Sequence, residues 1–241
     1  MSVFGRFADT VRGGLSVWWL APLVPLIVVL PEFVQHIAEI RMGMFADKAA
    51  FDGLAQDPRR MSFGIVKVIA LLLAIFAAAR FWATRGGAQR WWNPRGILWG
   101  RLVLAIVLAS LVGIPGILLE DSIGVTGRQV LDAVLTLATL PLFTWLVSAL
   151  LADRDMTWKR VWRSGWLPGL RIAIFAALLW APLQWLHGQT HIWAMGADVA
   201  VVWLLMIFDS LVVGLLATLA GSALFFGYGA EYRNKEGELS R

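Results

Sequence analysis

Six long apolar runs, separated by short charged stretches, constrain this chain more than any other feature. They span about 14–31, 62–84, 100–119, 129–151, 169–187 and 197–228. About 20 mostly apolar residues are needed to cross the hydrocarbon core of a bilayer as a helix. Water cannot satisfy backbone groups inside that core, so a run of this kind crosses as an α-helix. The expected fold is therefore all-α: one integral membrane domain, residues 1–241, built as a bundle of six transmembrane helices. Composition agrees, with 59% hydrophobic residues and a mean hydropathy of +0.71. The first run contains Pro22 and Pro25 and ends without a small-x-small cleavage site, which reads as a retained helix rather than a signal peptide.

Charge placement predicts orientation. Arg6 and Arg12 precede the first run. Arg80, Arg85, Arg90, Arg95 and Arg101 mark the connection between runs two and three, with no acid among them. Arg154, Lys159, Arg160, Arg163 and Arg171 mark the connection between runs four and five, and Arg233, Lys235 and Arg241 lie in the tail. The 3–4 connection has only Arg128 beside Glu120 and Asp121, and the 5–6 connection "HGQTHIWAMGAD" has no Arg or Lys. Cytoplasmic loops are enriched in Lys and Arg, so both termini are expected on the cytoplasmic side of the membrane. The 1–2 loop, with Arg41, Lys48, Arg59 and Arg60 against Glu39, Asp47, Asp52 and Asp57, mixes both signs and is outvoted. The net charge of +5 follows from this topology and not from a nucleic-acid surface, since no nucleic-acid-binding module is present.

Fourteen tryptophans, many at the ends of apolar runs, suit the headgroup level of a bilayer. The absence of cysteine excludes disulfides, thiolate metal sites and cysteine nucleophiles. "RWWNPRGILWGR" and "RVWRSGWLPGLR" share an R-x-W start and a second Arg eleven residues on. That pattern suggests a duplication of helices two–three as helices four–five, and it equally fits convergence on what cytoplasmic loops need. The tail from 229 onward is polar and expected to fray.

Two sets of residues carry chemistry. In "PEFVQHIAEI", residues 31–40, Glu32, His36 and Glu39 fall at i, i+4 and i+7, on one helical face. Pro31 and Glu32 suit the start of a helix, and Phe33, Ile37, Ile40 and Met44 form an apolar stripe. The expectation is an amphipathic helix on the outer membrane surface after the first span, with its charged stripe facing water or a partner. His187 and His191 repeat the i, i+4 spacing on the same outer side, with Gly188 between them as a candidate helix breaker. Imidazole and carboxylate suit a transition metal, and a pair of histidines suits haem. No H-e-x-x-H pattern supports either, and an ordinary solvated face accounts for the spacing as well. The second set is Asp209, in the middle of the sixth run, with Lys67 near the outer end of the second. A charge at mid-bilayer costs about 2.5–3.5 kcal/mol, so Asp209 is expected to couple transport of a proton or cation, or to pair structurally with Ser210 or another hydroxyl. Lys67 is free to snorkel.

No G-x-S-x-G, P-loop, G-x-G-x-x-G or C-x-x-C pattern points to an enzyme. The stretch "DRDMTWKRVWRSGWLPGLRIAIFAALLW", residues 153–180, through Met156, Trp158, Arg163 and Ser164, resembles a segment of the YciC-like bacterial inner-membrane proteins. It is similar too to the membrane domains attached to some glycerophosphodiester phosphodiesterases. The resemblance implies six spans and an inner-membrane location, and it assigns no activity or catalytic residue. The sequence thus points to a non-enzymatic envelope or membrane-complex assembly component. A small transporter coupled through Asp209 and a metal- or haem-binding protein using His36, His187 and His191 stand as alternatives. The partners expected are lipid, a second membrane protein or another copy of the chain.

Overall fold

In the computed structural model, which describes residues 2–112 and 114–229, with the side chains of Glu120 and Asp121 outside the description, every regular element is helical. The expected frayed tail and its Arg233, Lys235 and Arg241 lie outside the described residues, as do the acidic side chains of the 3–4 connection. The helices are α1 (Val3–Leu20), α2 (Leu23–Arg41), α3 (Lys48–Leu54), α4 (Pro58–Thr84), α5 (Trp99–Val112), α6 (Ile114–Ala138), α7 (Leu140–Leu150), α8 (Trp158–Ser164), α9 (Trp166–Ala194) and α10 (Val199–Tyr228). A 3-10 turn at Pro94–Gly96 lies between α4 and α5.

Five of these segments are long and apolar enough to cross a membrane: Leu23–Arg41, Pro58–Thr84, Trp99–Leu119, Trp166–Ala194 and Val199–Tyr228. A sixth passes the same test if Ser122–Ala138 and Leu140–Leu150, bent by 51° at their junction, are counted as one broken span. The bend sits just before Pro141, whose ring leaves no backbone N–H to continue the helix. Residues 120–128, expected as a connection, are helical apart from a break at Gly124, where φ is 68°.

The first apolar run departs most from expectation. It is not one span over 14–31: the chain breaks at Ala21–Pro22, and the membrane-length helix is α2. Pro31 does not start a new surface helix. It lies inside α2, which continues to Arg41. The predicted surface helix and the tail of the predicted first span are therefore one element. Its end is well defined. Gly43 adopts φ 76°, the Met44 amide donates to the Glu39 carbonyl at 3.0 Å, and the Gly43 amide donates to the Ile40 carbonyl at 3.0 Å. This is a Schellman turn, which needs the left-handed conformation that glycine reaches without strain.

Contacts divide the chain into two compact units. The first comprises residues up to Phe81 with Phe175–Ala223, and the second Trp82–Ile174 with residues from Leu224 onward. In the first, small residues permit close approach: a Cβ added at Gly14 would fall 2.5 Å from the Leu219 side chain, and one at Gly221 would collide with the Ile75 carbonyl. In the second, a Cβ at Gly169 would fall 2.7 Å from the Leu140 carbonyl. Small residues are the usual means by which membrane helices gain van der Waals contact, since lipid offers no hydrophobic driving force between them. Also in the second unit, Trp145, Trp158, Trp162 and Trp166 form an edge-to-face ladder with successive centroids 5.1, 5.6 and 6.2 Å apart.

Candidate metal centre

The site lies wholly within the first unit and begins with one face of α2. Its buried residues are Val24, Pro25, Val28, Glu32, Gln35, His36 and Glu39. Steps of three and four keep them on a single stripe. That stripe is apolar in its first half and polar in its second. The opposite face is apolar from Leu23 to Val34, with Leu23, Leu26, Leu30 and Val34 between 39% and 64% exposed. The helix is thus inverted relative to a water-soluble one, with charge inside and hydrocarbon outside. Glu32, His36 and Glu39 are each 0% exposed, so the expected water-facing stripe is instead the interior one. Apolar side chains cost nothing against lipid, whereas carboxylates there cost several kcal/mol.

Three other helices complete the cluster. α9 runs through Gly188 without a break, so His187, Thr190 and His191 share one face. α10 presents Asp209, 0% exposed. α4 presents Arg60 and Lys67, two turns apart. The His36 ring joins the set: Nδ1 lies 2.9 Å from Glu39 Oε2, and Nε2 lies 3.0 Å from Asp209 Oδ2 and 3.3 Å from Glu32 Oε1. His187 Nδ1 lies 2.9 and 2.8 Å from the two oxygens of Asp209. The Thr190 hydroxyl is 2.5 Å from Asp209 Oδ1 and 2.7 Å from the His187 carbonyl, with one proton to give to either. Glu39 Oε1 accepts from Gln35 Nε2 at 2.7 Å and from Arg60 Nε at 2.8 Å. Lys67 Nζ donates to Glu32 Oε1 at 3.1 Å, so this lysine clamps an acid and does not snorkel away. Asp209 does not pair with Ser210, whose hydroxyl donates to the Met206 carbonyl at 2.8 Å.

His191 differs from the other members. It is 8% exposed, and neither ring nitrogen has a hydrogen-bond partner. Its Nε2 stops 3.7 Å from Asp209 Oδ2. Phe45 and Phe51 pack on the ring at centroid distances of 5.8 and 6.2 Å. They are held there by a small apolar cluster of Phe45, Ala194, Val202 and Met206. The Gly196 amide, reached through a turn with φ 71°, donates to the Phe45 carbonyl at 2.9 Å and ties the two connections together. Glu32 Oε2, also buried, has no hydrogen-bond partner either. Buried polar atoms are nearly always paired, and a missing ion is one of the ordinary reasons for an orphan.

The donor set has the spacing of a coordination shell. His36, His191 and Asp209 each offer a ligand atom within 4.8 Å of the others, and so do Glu32, His187 and Asp209. With bonds of about 2.0–2.1 Å, ligand atoms on a tetrahedral ion stand about 3.3–3.4 Å apart. The 3.0 Å and 3.7 Å separations from Asp209 Oδ2 to His36 and His191 bracket that edge. Glu39 belongs to neither triad. It holds the far nitrogen of His36, the position from which a carboxylate orients a metal-binding imidazole. Haem fits poorly. The His36 and His187 rings lie 5.3 and 4.9 Å from that of His191. They meet each other directly around one carboxylate, with no gap for a flat macrocycle.

Comparison with protein families, curated proteins and solved structures finds no match to this chain.

The six residues singled out from the sequence on α2, α9 and α10 are thus neighbours, and Lys67 joins them. Sequence reasoning missed Gln35 and Thr190. Both carried a signal, since each lies three residues from a named member on the same helical face. Arg60 was read only as a loop charge.

Proposed function

We propose that this chain is a multi-pass membrane protein of six spans that holds a divalent transition-metal ion inside its bundle through His36, His191 and Asp209. The observation that carries the reading is the buried His191 ring, with two unpartnered nitrogens and Nε2 aimed at the central carboxylate. A nitrogen–oxygen donor set without sulfur suits zinc, manganese or iron. Charge favours a cation too. Glu32, Glu39 and Asp209 face Arg60 and Lys67, and once His36 gives up the second ring proton that its two carboxylate contacts hold, one negative charge is in excess for the ion to meet. The arginine distribution supports cytoplasmic termini, and the likeness of residues 153–180 to YciC-like proteins supports a bacterial inner membrane. A role as an envelope or assembly component is what remains for a cluster that binds nothing.

The test is elemental analysis of protein purified without a polyhistidine tag. At least one equivalent of a first-row transition metal per chain is expected, and one equivalent should be lost in His191→Leu. Because His191 makes no hydrogen bond in the metal-free protein, that substitution should leave metal-free stability unchanged or slightly higher. Metal-free wild type after incubation with zinc, manganese and iron would contradict the proposal.

A second reading rests on a different observation. Glu39, His36, Asp209 and His187 form an unbroken hydrogen-bonded chain across three helices. Such chains serve as proton relays in membrane transporters. Under this reading proteoliposomes would move protons or cations, and Asp209→Asn would insert normally but abolish the flux.

A further inference from the structure

We infer that the cluster is built for two metal ions, with Asp209 as the bridging carboxylate. The inference rests on the metal reading above and goes beyond it by assigning Glu32 and His187 a second ion. Two separate triads satisfy ligand spacing, His36–His191–Asp209 and Glu32–His187–Asp209, and Asp209 is their one shared member. A carboxylate has two oxygens and can give one to each ion. Asp209 is already placed to do so: His36 and His191 approach Oδ2, while Thr190 donates to Oδ1 and His187 Nδ1 reaches both. The second triad adds Glu32 and His187, which are not members of the first.

Glu32 supplies the independent evidence for a second ion. Its Oε1 is held by Lys67, but its Oε2 is completely buried and has no partner. An orphan carboxylate oxygen inside a bundle marks a second unmet demand for positive charge. Among the triad members the orphans are Glu32 Oε2 and the His191 nitrogens, and they belong to different triads.

Electrostatics sets the order of binding. Three carboxylates, two cations and neutral histidines carry one net negative charge, and a first divalent ion turns this to one positive. The second ion therefore binds more weakly. Lys67 opposes it most directly, through its contact with Glu32. Lys67 is 18% exposed by side chain and lines a largely apolar groove with Gln35, Met61, Gly64 and Ile65, which gives its ammonium no second anion to move to. Removing that ammonium should favour the second ion.

The experiment is a zinc titration of the detergent-solubilised full chain, read by metal-to-protein stoichiometry, with X-ray absorption of the saturated sample. Two equivalents are expected, the second at higher free zinc, with metal–metal scattering at about 3.5–4 Å. His187→Leu and Glu32→Gln should each lose one equivalent and keep the other, whose retention shows an intact fold. Lys67→Met should lower the zinc concentration at which the second equivalent binds. Saturation of wild type at one equivalent, without metal–metal scattering, would overturn the two-ion inference and leave the single-ion reading in place. Saturation at zero would overturn both. If the variants do not fold, the wild-type stoichiometry and scattering decide alone.

Discussion

The two units of this chain solve the same problem, a folded interior among long apolar helices, with different chemistry. Among the described residues of the second unit the fully buried polar side chains are Thr144 and Ser148, and both hydroxyls donate to backbone carbonyls, of Gly165 at 2.7 Å and Trp145 at 2.7 Å. The first unit buries Glu32, Gln35, His36, Glu39, Thr190, His191 and Asp209 in one place. Packing devices are shared: both units use glycines against a neighbouring backbone. The difference teaches that the charges are not a requirement of the fold. Among its described residues a unit of similar helices buries no charged side chain completely, so the first unit carries its cluster for another purpose. Ionisable groups inside a membrane protein are costly, and most mark a functional path or site.

The largest effect that would break this comparison comes from Asp209→Ala. It leaves His36, His187 and Thr190 facing an empty centre and the remaining charges unbalanced. An unfolding free-energy loss of about 3–5 kcal/mol is expected, measured by chemical denaturation in micelles. A loss as small as that of an ordinary surface change would mean the cluster is not a cooperative network. Next comes Glu39→Gln, which keeps shape but weakens the hold on His36 Nδ1. Metal affinity should fall about 10–100-fold with stoichiometry unchanged, as read by competition with a chelating dye. Unaltered affinity would remove Glu39 from its orienting role.

The glycine pair tests the shared half of the comparison. Gly221→Ala in the first unit and Gly169→Ala in the second both drive a Cβ into a backbone carbonyl. Each should cost about 1–3 kcal/mol of stability, and the two costs should be similar. A large cost in one unit only would show that their packing differs as well as their polarity. The smallest effect is Thr144→Val in the second unit. One hydrogen bond to the Gly165 carbonyl is lost, for about 1 kcal/mol, and metal content should not change.

Much of the cluster was visible in the sequence, but not its assembly. The i, i+4, i+7 stripe of Glu32, His36 and Glu39, the His187–His191 spacing and the mid-span Asp209 each stood out. What one helix does with its polar face depends on what surrounds it. Pro31 and Glu32 suit a helix start as well as a helix interior, and reading them as a start put the stripe in water. The opposite face decides: Leu23, Leu26, Leu30 and Val34 continue unbroken past Pro31 on the exposed side, which a lipid-facing helix requires and a surface helix does not. Gly188 misled in the same way, since a glycine weakens an isolated helix by about 1 kcal/mol but does not end one twenty-nine residues long. The meeting of His36 with Asp209, 173 positions apart in the chain, left no local signal. Membrane length and apolar character, by contrast, are properties of each segment alone, and there the sequence and the structure agree closely from Pro58 to Thr84 and from Val199 to Tyr228.

The central claim is that these side chains are metal ligands and not only each other's partners. Anomalous diffraction, recorded on either side of the absorption edge of whichever metal accompanies the protein, tests it most directly. The account predicts an anomalous peak within about 2.0–2.2 Å of His36 Nε2, His191 Nε2 and an Asp209 carboxylate oxygen. A map with no peak there, and with His36 still hydrogen-bonded between Glu39 and Asp209 in metal-supplemented crystals, would contradict it.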